Sequence, residues 1–400
     1  MKKVIEISLI AIAALHGTNI ENIFTSGKIS GQLRAAHITQ NNAVDIDTYG
    51  TAVGGLLKYE TGSWNDFTLG TAVYVSQKVR FLSGDVDEGK ANNDLFANNA
   101  SSYAYLGEAY IDYSANDFTL RIGRQTIDTP FADTDDVRMH PNTFEAVMAT
   151  YTGLEKNILV GGYIKRFAGY DSGNDISVFK RLDGLDSRGA AFFGITDERV
   201  ENLALQGWYY KIDTIANAIY ADGVYTMAVN ETINVELSAQ YGHFSEEQNS
   251  NVDGDVYGIG AKGSIGMVTM SAAYSKVCNA EGKKIINGFG GGPYYTSMEE
   301  MTIDGMEDAR AYKLNGELDM SEIGLEGLKM SASYGSFKST PMNWNVQESD
   351  FIVAYQINEA ITAQMSYAFI NDNNKNILNN GTNDYDGGYN RLFLRLDYNF

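Results

Sequence analysis

Most of this chain repeats one pattern: roughly ten residues of alternating polarity, then turn residues, then another such run. In NETINVELSAQYGHF, Ile233, Val235, Leu237, Ala239 and Tyr241 share one face, while Asn234, Glu236, Ser238 and Gln240 share the other. In YKLNGELDM, Tyr312, Leu314, Leu318 and Met320 oppose Lys313, Asn315, Glu317 and Asp319. The end of the chain sets Leu392, Leu394, Leu396, Tyr398 and Phe400 against Arg391, Arg395, Asp397 and Asn399. A period of two is the strand period, and such strands are apolar on one side and wet on the other. The alternation rule gives about eighteen strand candidates. They lie at 27–39, 49–60, 66–79, 102–114, 116–126, 145–153, 156–166, 187–195, 202–211, 215–227, 231–244, 254–263, 265–277, 309–320, 326–337, 348–357, 360–370 and 388–400.

The connections fall into two alternating classes. Short ones include SAND, TGLEK, GSIG and INE; long ones lie at 80–101, 128–144, 167–186, 278–307, 338–347 and 371–387. All four prolines fall in the long class, where a missing N–H costs no ladder bond. Strands of this length match a tilted bilayer crossing, and alternating loop lengths suit an up-and-down transmembrane barrel. A soluble sandwich needs no such rhythm. The mean hydropathy of −0.25 is compatible, because half of each strand would face water. Aromatics near run ends (Tyr59, Trp64, Phe67, Tyr113, Phe118, Phe337, Tyr398, Phe400) are candidates for interfacial girdles. The expected fold is therefore all-β: one up-and-down antiparallel transmembrane barrel over 27–400.

Residues 1–20 carry Lys2 and Lys3 ahead of an apolar run, Val4–Leu15, and read as a signal peptide, although Glu6 interrupts the run and no tidy cleavage site follows. A buried N-terminal strand or helix is the alternative. No stretch has the apolar length of a spanning helix. The net charge of −21 argues against a nucleic-acid partner. Cys278, the single cysteine, excludes an intrachain disulfide.

The densest chemistry lies in QTIDTPFADTDDVRMHPNTFE, 125–145, with Asp128, Asp133, Asp135, Asp136, Glu145, Arg138 and His140 around Pro130 and Pro141. Paired carboxylates can act as general acid and base, but crowding in sequence says nothing of spacing. An EF-hand register starting at Asp133 fails, since its glycine position holds Arg138 and its last acidic position holds Phe144. A looser calcium site at Asp133, Asp135 and Asp136 stays open, as does a solvated loop pinned by proline. GIGAKG at 258–263 precedes another strand and not the helix that a dinucleotide site needs. The isolated histidines promote no triad. GGGPYY at 290–295 and the Asn-rich 371–384 read as flexible surface loops.

The final strand RLFLRLDYNF, ending on Phe400, resembles the terminal assembly signal of Gram-negative outer-membrane proteins. LRIGRQTIDTPFADTDDVRMHPNTFEAV, 120–147, resembles the OprD-like porins, with Gly123, Gln125, Pro130, Asp136, Arg138, Pro141, Thr143 and Phe144 matching, and Glu145 and Ala146 standing where the family has glycine. The resemblance implies eighteen strands, with the loop after the fifth folding into the lumen. It thus implies a constriction at 128–144, carrying Asp128, Pro130, Asp133, Asp135, Asp136, Arg138, Pro141 and Phe144. It also implies inward cations opposite, and Arg34, Lys58, Arg121, Lys313, Lys329, Arg391 and Arg395 have the polar parity for that role.

The expected function is a passive outer-membrane porin for small hydrophilic solutes or ions, with no catalysis and selectivity set by charge at the constriction. The alternatives are a non-conducting adhesin or antigen binding through acidic loops, and an outer-membrane hydrolase. The expected partners are outer-membrane lipid and lipopolysaccharide, the β-barrel assembly machinery and small polar solutes; a homotrimer and a monomer both stay open, because an apolar wall looks alike whether it meets lipid or a second copy.

Overall fold

The computed structural model describes residues 20–173, 175–182, 187–230, 233–374 and 387–400. Residues 1–19, expected to belong to a signal peptide, and most of the Asn-rich stretch lie outside them. After a short helix, α1 (Ile20–Thr25), come eighteen strands. In the first half they are β1 (Lys28–Asn42), β2 (Thr48–Glu60), β3 (Phe67–Lys78), β4 (Tyr103–Ala115), β5 (Phe118–Gln125), β6 (Thr143–Leu154), β7 (Asn157–Ala168), β8 (Ala190–Asp197) and β9 (Leu203–Ile212). The second half holds β10 (Ala216–Ala228), β11 (Ile233–Glu246), β12 (Gly254–Ile265), β13 (Val268–Cys278), β14 (Ala309–Asp319), β15 (Leu328–Ser339), β16 (Trp344–Gln356), β17 (Ile361–Asp372) and β18 (Tyr389–Asn399).

Each strand pairs antiparallel with its sequence neighbours, and β1 pairs with β18 over Gln32–Asn399 to Asn42–Tyr389, closing the barrel. Closure leaves no free edge, which a bilayer requires because it offers no water to unpaired backbone groups. The side-chain faces are inverted relative to a soluble protein. Leu33, Val53, Leu57, Ile259 and Met270 on the outer parity are all at least half exposed, whereas Arg34, Glu108, Glu348, Asp350 and Asp397 on the inner parity are buried. An apolar exterior around a polar interior is stable only with hydrocarbon outside. Phe67, Phe118, Tyr398 and Phe400 lie exposed at the short-turn end. Phe337, expected in a girdle, is instead fully buried, because its position puts it on the inner parity beside Ala311 and Val346.

All eighteen runs become strands, including GIGAKG inside β12. The two-class loop rhythm is looser than expected. Six-residue or shorter turns join the strands at one end in several cases, but the other end also has tight links at 43–47, 213–215 and 340–343. The expected long loop at 338–347 shrinks because β15 and β16 run on into it. The long connections at 79–102, 126–142 and 279–308 keep their length, and all three send side chains into the lumen.

Candidate functional site: a lumen narrowed by loops

The loop after β5 occupies 126–142, two residues earlier than expected, so Phe144 belongs to the wall: it pairs with Gln125 and stacks on Phe167 at 5.9 Å. Apolar anchoring pulls this loop inward. Phe131 is fully buried among Tyr210, Tyr220 and Phe244, with ring centroids 5.2, 5.7 and 5.2 Å away. Thr129 and Ala132 exchange backbone bonds of 2.8 and 3.1 Å, forming a tight turn around Pro130 and Phe131. Asp128 accepts from the Thr134 hydroxyl at 2.6 Å and shapes the next bend. His140, two residues from the next strand and just before Pro141, is buried beside Tyr74 and Tyr103. Burial lowers its pKa to about 3, so the ring is neutral and its Nε2–H donates to the Val75 carbonyl at 3.0 Å.

The loop's charges then meet the wall. Arg34, 1% exposed, donates to both Asp136 oxygens at 2.6 and 2.8 Å and to both Asp397 oxygens at 2.7 and 2.9 Å. Its remaining donor capacity reaches the Arg138 carbonyl at 2.8 Å. Such planar, bidentate pairing is what guanidinium geometry favours. Arg395 donates to the Asp136 carbonyl at 2.7 Å and to Gln364 at 2.8 Å. Arg138 lies over the Tyr170 ring, reaches Glu300 at 3.3 Å and stands 3.6 Å from Asp94. Arg391 completes this second cluster by pairing with Asp94 at 2.5 Å and with Glu300.

A second inward loop, 279–308, completes the narrowing. Asp133 accepts from the Gly291 and Gly292 amides, each at 3.2 Å. A Cβ on Gly290 would come 2.4 Å from Asp133 Oδ1, so glycine is needed for this approach. Gln240 on β11 grips the following residues, donating to the Pro293 carbonyl at 3.1 Å and accepting from Tyr295 N at 2.9 Å. Further along, the Glu348 carboxylate accepts from Glu300 N at 2.9 Å and Met301 N at 2.8 Å, and Lys313 donates to the Ser297 carbonyl at 2.6 Å. GGGPYY, expected at the surface, is therefore inside the barrel. Its backbone amides serve a carboxylate from a distant loop, which composition does not reveal.

The expected residues separate into two groups. Arg34, Arg391, Arg395 and Lys313 all touch the inward loops. Lys58, Arg121 and Lys329 share the inner parity but pair locally: Lys58 with Glu108 at 3.0 Å, Arg121 with Asp112 at 2.8 Å, and Lys329 with Asp319 at 3.6 Å. Arg121 also lies over the Tyr110 ring. Phe400 exchanges backbone bonds of 2.9 and 3.0 Å with Gly31, sealing the rim of the barrel. The carboxylates of Asp133, Asp135 and Asp136 turn to glycine amides, to Asp171 and to Arg34, and no group of three or more potential metal ligands occurs among the described residues. Sequence reading missed Asp94, Asp171, Glu299, Glu300 and Glu348. Of these only Glu348 carried a signal, the alternation in QESDF.

Between the two inward loops lies a cavity of about 610 Å³, lined by Asp133, Asp135, Asp171, Glu299, Glu300 and Arg138 among others. Burial pushes the Asp135 carboxyl up to about 7, and the Asp171 and Asp133 charges add to the rise. Burial also raises Asp133, against the pull of the two glycine amides, and raises Glu299.

The sequence profile of the family described as outer membrane porin, OprD family, matches residues 47–400. This chain belongs to that family. It is an outer-membrane β-barrel channel and not an enzyme. Solved barrels share the architecture at low identity. Acinetobacter baumannii OccAB4 aligns with a TM-score of 0.79 at 17% identity, covering 95% of this chain and 100% of that one. Pseudomonas aeruginosa OccK8 (OprE) gives 0.76 at 15%, covering 95% and 99%. Pseudomonas aeruginosa OpdK, crystallised with vanillate, gives 0.76 at 16%, covering 94% and 99%. No curated protein matches the chain in sequence. The porin's eighteen strands thus stand on sequence, geometry and family together.

Proposed function

We propose that this porin passes small hydrophilic solutes by passive diffusion through the gap between loops 126–142 and 279–308, and that this gap favours cations. The observation that carries the reading is the imbalance in the cavity lining. Arg138 is held by Glu300 and Asp94, while Asp135, Asp171 and Glu299 have no ion-pair partner among the described residues, and Asp135 gains its charge as pH rises through about 7. Fixed charges lining a narrow pore set ion selectivity. The OpdK crystal contains vanillate, a carboxylate. In this porin the guanidiniums of Arg34 and Arg391 already hold carboxylates from the protein itself, which leaves less cationic surface for an anionic solute.

Single-channel recording in a planar bilayer under a salt gradient tests both parts. The wild type should give discrete conductance steps and a cation-side reversal potential. Replacing Asp135, Asp171 and Glu299 together by Asn, Asn and Gln should lower the cation/anion permeability ratio about fivefold, on the scale of about 1 kcal/mol for charges in a wet pore. Asp133 and Asp136 are left intact in this variant, since they hold the loops. Absence of steps would remove the channel reading, and an unchanged reversal potential would remove the cavity from the selectivity path.

A further inference from the structure

The outer face of the barrel holds a second feature, unrelated to the pore. Lys276 on β13 stands directly opposite Arg310 on β14, and Arg310 directly opposite Lys338 on β15. All three lie on the outward parity, at the end of the barrel that carries loop 279–308. Like charges directly opposed across strands destabilise a sheet. Lys276 is relieved by Asp308 at 2.5 Å. The side chains of Arg310 and Lys338, both exposed, have no hydrogen-bond or ion-pair partner among the described residues. A row of cations retained in a chain of net charge −21 calls for an anion from outside.

The surface beneath the row indicates what kind of anion. The next outward residues toward the middle of the barrel are Tyr274 and Tyr312, which pair across β13 and β14. They form the upper edge of an apolar groove of about 550 Å³ on the outer face. Ala261 and Ala272 pair at its floor, with Leu237 and Leu314 as their other cross-strand neighbours, so two small side chains sit between two large ones. A cationic row, an aromatic pair and an apolar trough follow each other along the membrane normal. An amphiphile with an anionic head and an acyl tail has the same order.

We infer that β11–β15 form a docking site for a phosphate-bearing lipid of the outer leaflet, with the phosphate on Arg310 and Lys338 and one acyl chain in the Ala261–Ala272 groove. Charge complementarity selects the head, and the groove selects a lipid over free phosphate. Juxtaposed basic side chains each contribute to anionic-lipid attraction on the scale known for basic segments.

Native mass spectrometry of the detergent-purified full chain tests this, using phosphatidylglycerol and phosphatidylcholine with the same acyl chains. The wild type should retain phosphatidylglycerol preferentially. R310Q/K338Q should lose that preference by about 20-fold. A261L/A272L, which fills the groove, should weaken retention of both lipids while keeping the preference for charge. Heat-modifiable gel mobility confirms that each variant is folded. Equal retention of the two lipids by the wild type, or an undiminished preference in R310Q/K338Q, would overturn the site. So would full competition by inorganic phosphate alone, which would make it a bare anion site. A drop in oligomeric mass in R310Q/K338Q would assign the face to contact between copies instead.

Discussion

At the scale of single residues, inner parity proved readable and partners did not. Alternation puts Arg34, Lys58, Arg121, Lys313, Lys329, Arg391 and Arg395 on the polar face, because a period of two admits only two faces, and the family resemblance turns that face inward. Whether each meets a loop or a neighbour depends on contacts hundreds of residues apart in sequence, such as Arg391 with Asp94. Asp135 shows what proximity then adds. Its carboxyl, raised to about 7 by burial and by Asp171 and Asp133, is the reverse of a salt-bridged aspartate. Its protonated form is the one that suits the folded loop. The linked contribution to loop packing is therefore fully present below the unfolded aspartate value of about 3.9 and is lost as pH rises through about 7. Ionisation over the same window adds negative charge to the cavity. Cation selectivity should thus increase between roughly pH 5 and 8, and D135N should flatten that rise. Reversal potentials measured across this range decide it; a pH-independent wild type would detach Asp135 from the ion path.

At the scale of elements, the strands were legible and the inward loops only partly so. Strand identity follows from local alternation, so every candidate run survives with shifted ends. The family resemblance points 128–144 into the lumen, but the anchor Phe131 looks in sequence like any loop aromatic. GGGPYY, inside loop 279–308, reads in sequence as flexible surface loop, since connecting segments usually run over the surface. What holds loop 279–308 inside is Glu348, whose carboxylate takes the amides of Glu300 and Met301. Hydrogen bonds of this kind contribute about 0.5–1.5 kcal/mol each, and buried amides left bare cost about 1–3 kcal/mol. E348A should therefore release this stretch of loop and produce larger, more frequent conductance fluctuations. E348Q keeps one acceptor oxygen and should fall between E348A and the wild type. Current traces as quiet as the wild type in both variants would show that Gln240 and Asp133 suffice to hold the loop.

At the scale of the whole molecule, the barrel's inverted polarity and its closure by β1 and β18 place it in a bilayer, and loop length gives its direction. Barrels of this class keep short turns on the periplasmic side and long loops outside. The tight links at 43–47, 213–215 and 340–343 mean that the direction rests on the long connections at 79–102, 126–142 and 279–308. The single cysteine offers a direct check. Cys278 is exposed at the end of β13, where loop 279–308 begins. A membrane-impermeant maleimide added to intact cells should label it, and C278S should abolish labelling. Because the lipid headgroups also lie at this level, two relocated cysteines in the C278S background separate shielding from orientation. One at Asp87, exposed in loop 79–102, should label in intact cells. One at Asn116, in the two-residue link between β4 and β5, should label only after the outer membrane is permeabilised. The opposite result at both relocated sites would turn the barrel over, placing the cationic row of β13–β15 in the inner leaflet and the inward loops on the periplasmic side.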